Sequence, residues 1–112
     1  MDPATTTTNN QEAVRPKFDW YETDSAIVIN VLVKRLAAEA VSVDFQPRSL
    51  LFKYSPSTIS NGGDFASDPL ELKLHFPSSI VPAECSYRVG AVKAEVKLRK
   101  VANVRWGKLE VS

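Results

Sequence analysis

Leu70, Leu72, Leu74 and Phe76 alternate with Glu71, Lys73 and His75. A strict period of two over seven residues is the signature of a strand with one apolar and one wet face, and no helix presents it. The same period returns three more times. Ile27, Ile29, Val31 and Val33 alternate with Ala26, Val28, Asn30 and Leu32, and Val41, Val43 and Phe45 alternate with Ser42 and Asp44. Val92, Ala94, Val96 and Leu98 alternate with Lys93, Glu95, Lys97 and Arg99. Shorter candidates are Lys17 to Glu22, Ser49 to Tyr54 and Glu84 to Val89, the last with Cys85, Tyr87 and Val89 facing inward. Turn-forming clusters separate these segments: Gln46-Pro47-Arg48, Ser55-Pro56-Ser57, Asn61-Gly62-Gly63-Asp64, Pro77 and Pro82. Only Arg35 to Ala40 favours a helix, and six residues are too few for a stable one, so a turn or a single helical turn is expected there. About seven short strands without crossover helices predict an all-β, seven-stranded antiparallel sandwich.

Residues 1–15 contain almost no large apolar side chains. Ordering them would cost roughly 1–2 kcal/mol per residue with little burial in return, so they read as a flexible leader or linker ahead of one domain over 16–111. The apolar fraction of 44% suffices for a core. With 14 Lys and Arg against 13 Asp and Glu, no overall field draws the chain to nucleic acid or to a membrane surface. No apolar run approaches the ~20 residues of a bilayer span, and the Met1-Asp2-Pro3 start lacks the basic and apolar regions of a signal peptide. A single cysteine, Cys85, excludes an internal disulfide and a cysteine-rich zinc site, and implies a reducing compartment.

Few side chains invite catalytic chemistry. His75 is the one histidine and belongs to a wet strand face, without a second histidine or a carboxylate pair to make it a base or a ligand. Cys85 reads as a small buried thiol. Asn61 to Asp64 is glycine-rich but has neither the lysine nor the strand–helix context of a phosphate loop. The basic stretch Lys93, Lys97, Arg99, Lys100, Arg105 and Lys108 is poor in aromatics and reads as a solvated strand face, suited if anything to an acidic protein surface. Trp20 and Trp106, near the two ends of the folded region, are expected to close the core. Leu32 fits least well, being an apolar residue on the polar side of its strand; next to Tyr21 and a Lys/Glu pair it would make a binding hot spot.

These segments together resemble a known family. Phe18-Asp19-Trp20-Tyr21-Glu22-Thr23 is similar to the opening of the CS domain, the module shared by CHORD-containing proteins and Sgt-type co-chaperones. The resemblance continues through Ile27 to Lys34, Val41 to Phe45, Ile80 to Tyr87 and Val92 to Lys100, and closes on Val104-Arg105-Trp106-Gly107-Lys108-Leu109-Glu110. It covers about 95 residues and every expected strand but the fourth. It implies a compact sandwich related to the p-twenty-three co-chaperones and the α-crystallin domain, with no catalytic residues, no cofactor and no metal. It further implies an adaptor, cytoplasmic or also nuclear, that docks on the N-terminal ATPase domain of heat-shock protein 90 and links it to clients or ubiquitin-ligase components.

The family's docking face, carried over residue by residue, falls on Tyr21, Leu32, Lys93 and Glu95. A CHORD-containing protein is a second implied partner, and the domain itself is expected to be monomeric. Two departures stand out: leucine replaces the family's aromatic at position 32, and the loop from Ser55 to Pro69 is longer than usual. The repeats and C-terminal domain of whole Sgt-type proteins have no counterpart here, so an excised domain or a short member is expected. The alternatives are a CHORD-type or ubiquitin-pathway module with other partners, and a holdase of the small heat-shock kind, which would need an oligomerising extension.

Overall fold

The computed structural model describes residues 13–56 and 68–110. Seven strands follow in chain order: β1 (Phe18–Glu22), β2 (Ala26–Val31), β3 (Val41–Gln46), β4 (Ser49–Tyr54), β5 (Leu70–His75), β6 (Ser86–Val89) and β7 (Ala94–Arg99). They form a four-stranded sheet in the order β1-β2-β7-β6 and a three-stranded sheet in the order β3-β4-β5. Every pairing between these strands is antiparallel. No α-helix occurs among the described residues, and Arg35 to Ala40 contributes a single 3-10 turn at Ala38–Ala40. The expected all-β sandwich is the observed fold.

The period-two faces explain the layering. Ile27, Ile29 and Val31 of β2 and Ala94, Val96 and Leu98 of β7 are fully buried from one sheet. Leu50, Phe52 and Tyr54 of β4 and Leu72 and Leu74 of β5 meet them from the other. Trp106 lies against Phe76, with ring centroids 5.3 Å apart, and is 9% exposed, so it closes the core as its position suggested. Short turns hold the registers. Thr23 caps the β1–β2 hairpin, its N–H donating to Ala26 O at 2.8 Å and its Oγ1 accepting from Ala26 N at 3.0 Å. Pro47-Arg48 joins β3 to β4 in a two-residue loop.

Three readings are corrected. Tyr87 has inward parity, opposite Val96, yet is 41% exposed, because β6 is an edge strand. Val92 is 60% exposed in the hairpin before β7 rather than part of that strand's core face. Lys100 is no part of a solvated face: it is 3% exposed. At the N-terminal end, Val14 bridges to Leu70 beside β5, and Arg15 pairs with Glu110 at 2.8 Å. Residues 1–12 of the leader, the Asn61–Asp64 turn and most of the long loop lie outside the described residues.

Candidate docking face

The outward side of the four-stranded sheet can be read as rows running across its strands. Tyr21 pairs with Val28, Val28 with Lys97, and Lys97 with Ser86. One step along, Asp19 pairs with Asn30, Asn30 with Glu95, and Glu95 with Arg88. Directly paired residues project to the same face, so each set forms a line of neighbouring side chains, and successive lines lie about 7 Å apart. Beyond the Asp19 row, Leu32 adds one more rung next to β1, its N–H donating to Lys17 O at 2.8 Å. Lys93 ends the β6–β7 hairpin, its carbonyl accepting from Gly90 N at 2.8 Å. It continues the outward parity of Glu95 and Lys97.

Tyr21, Leu32, Lys93 and Glu95 therefore share this face. Leu32 and Lys93 occupy its end, Glu95 the next row, and Tyr21 the row after that, two strands away from Glu95. Tyr21 is 52% and Leu32 47% exposed, which leaves two large apolar groups open on a face otherwise rich in charge. Val28, 5% exposed, floors the space beside Tyr21. Two shallow grooves, of about 390 and 360 Å³, both border Tyr21, Val28, Ser86 and Lys97. Asp19 accepts from Asn30 Nδ2 at 2.8 Å. Arg99 and Glu84, 3.8 Å apart and well exposed, form a surface pair of little energetic weight.

Below this face is an ion pair that the sequence reading missed. Lys100 Nζ donates to Glu22 Oε2 at 2.6 Å, with the two side chains 1% and 5% exposed. The same ammonium donates to the carbonyls of Thr23 at 2.8 Å and Val104 at 3.1 Å, and Glu22 accepts from Trp106 N at 2.6 Å and Gly107 N at 3.4 Å. Gly107 has φ +74°, a left-handed conformation that glycine adopts without strain. Burial alone would push the Glu22 carboxyl up, but the hydrogen bonds from Lys100, Trp106 and Gly107 and the Lys100 charge outweigh it and hold the group below its ordinary value. Parity carried the signal: Glu22 continues the inward series of Phe18 and Trp20, and Lys100 that of Val96 and Leu98, so two charges of opposite sign were aimed inward.

The remaining candidates fall as follows. His75 is exposed at the end of β5. Cys85 is partly buried, donating to Val81 O at 3.2 Å; burial, with Glu84 nearby, raises its thiol despite a hydrogen bond from Arg99 N. Among the described residues no three His, Cys, Asp or Glu side chains gather as a metal set.

The family model of the CS domain matches residues 16–100. The human protein SGT1 homolog is 34% identical over 94 residues, covering 84% of this chain and 24% of the human protein. The homolog from Oryza sativa subsp. japonica is 28% identical over 99 residues, covering 87% of this chain and 25% of its own. The chain thus spans about a quarter of the length of these curated relatives. In fold it is similar to the CS domain of human KIAA1068 protein, with TM-score 0.67 and 15% identity, covering all of this chain and 86% of that one. It is also similar to heat shock protein 16.0 of Schizosaccharomyces pombe, with TM-score 0.65 and 16% identity over 88% of this chain and 97% of that one. The chain belongs to the CS domain family.

Proposed function

We propose that the chain is a non-catalytic docking module of a co-chaperone, binding the N-terminal ATPase domain of heat-shock protein 90 through Tyr21, Leu32, Lys93 and Glu95. The observation that carries this reading is the convergence of those four residues on one open sheet face, with Tyr21 and Leu32 exposed among charged neighbours. Such a face combines apolar anchors, which supply most of the binding energy, with charges that guide encounter and fix register. Similarity to the SGT1 homologs supports the co-chaperone assignment. In this role the module is a cytoplasmic or also nuclear monomer that brings clients or ubiquitin-ligase components to the chaperone, with a CHORD-containing protein as a second partner.

Calorimetric titration against the isolated ATPase domain tests the reading. Lys93→Glu and Glu95→Lys each keep the fold and weaken binding at least tenfold. Undiminished affinity in both variants contradicts it.

A further inference from the structure

The charges on the open sheet face are arranged by row. The end row holds Lys17 on one side of Leu32 and Lys93 on the other, both cationic. The next row holds Asp19, Asn30, Glu95 and Arg88, with two acids to one base. The third row is Tyr21, Val28, Lys97 and Ser86, and its only charge is Lys97. Beyond it, Arg99 is offset by Glu84 at 3.8 Å. Positive, negative and positive bands thus follow one another about 7 Å apart, the rise of two strand residues.

Lys97 is set apart from the other cations. Like Lys17, Arg88 and Lys93 it is exposed and has no ion-pair partner among the described residues, but it alone pairs directly with the apolar Val28, in a row that ends on the hydroxyl-bearing Tyr21 and Ser86. Both grooves of the face open onto it.

Resting on the docking reading above, we propose that Lys97 forms a second cationic contact for the partner. The face then fits a protein surface carrying an acidic, a basic and an acidic group in line, around apolar side chains that cover Leu32 and Tyr21. The first acid meets Lys93, the base meets Asp19 and Glu95, and the second acid meets Lys97 with the Tyr21 and Ser86 hydroxyls as further donors. Charge alternation of this kind selects a register, because a partner shifted by one row sets like charges against each other.

The experiment titrates the full chain with the isolated ATPase domain at two salt concentrations, comparing wild type with Lys97→Glu, Lys97→Met and Lys73→Glu. Lys73 is an exposed lysine on the outer side of the other sheet and controls for net charge. Lys97→Met keeps an apolar stem over Val28 and serves if the charge reversal disturbs folding, which thermal melting reports. The expected result is a tenfold or greater loss with Lys97→Glu and a severalfold loss with Lys97→Met that shrinks at high salt, with Lys73→Glu within twofold of wild type. Equal losses for Lys97→Glu and Lys73→Glu would reduce the effect to long-range attraction and overturn the proposal. Wild-type affinity in both Lys97 variants, with Lys93→Glu still impaired, would overturn it while leaving the docking reading intact. A wild-type chain that does not bind the ATPase domain would overturn both.

Discussion

At the scale of single residues, the Glu22–Lys100 pair and Trp106 hold the C-terminal segment to the sandwich. Removing one member of a buried pair strands the other charge, so Glu22→Gln and Lys100→Met are each expected to lower stability by about 3–5 kcal/mol, with the double variant less affected than the sum. Urea denaturation measures this. Trp106→Ala removes a ring packed on Phe76 and leaves a cavity, for an expected loss of about 3–5 kcal/mol in the same assay. Because the folded Glu22 carboxyl is held below its ordinary value, its contribution is fully present above the unfolded pKa of about 4.3. That contribution falls away as pH drops through the folded value. Melting temperatures scanned from pH 7 to 3 should therefore decline in the acid range, and Glu22→Gln should flatten that decline. Cys85, whose thiol is raised, stays protonated at neutral pH and should react with a thiol reagent far more slowly in the folded chain than in urea.

At the scale of elements, the strands are legible because alternation marks a half-buried strand, and β5 and β7 carry it cleanly, whereas β2 is apolar on both faces at Ala26 to Ile29. Pairing order was not legible: nothing local shows that β7 inserts between β2 and β6, since that follows from how two amphipathic sheets close over one core. Tyr87 makes the same point, for its parity is inward and its exposure follows from the position of β6 at the sheet edge. The pairing of Glu22 with Lys100 is legible by parity, since two inward charges of opposite sign each demand a partner. The N-terminal boundary also depends on a long-range contact. Val14 N donates to Pro69 O and Glu71 N to Val14 O, each at 3.0 Å, and Arg15 binds Glu110. Truncation to begin at Pro16 is therefore expected to cost about 1–2 kcal/mol, visible as several degrees in melting temperature.

At the scale of the whole molecule, the two sheets have different outer surfaces. The outer side of β5 carries Glu71, Lys73 and His75, all polar and exposed. The β1-β2-β7-β6 side sets Tyr21 and Leu32 among banded charges. Sequence resemblance named four residues of that face and the basic stretch included Lys97, but the surroundings of Lys97 come only from the register, because its row neighbours Tyr21, Val28 and Ser86 lie on three other strands. In the proposed complex this side, and not the other, meets the chaperone. The most direct test is titration of the isotope-labelled chain with the unlabelled ATPase domain, following backbone amide resonances. Shifts and broadening are expected to concentrate at Tyr21, Asn30, Leu32 and Lys93 to Lys97, with β3, β4 and β5 unperturbed. Perturbations centred on β3-β4-β5, or none at saturating partner, would contradict it.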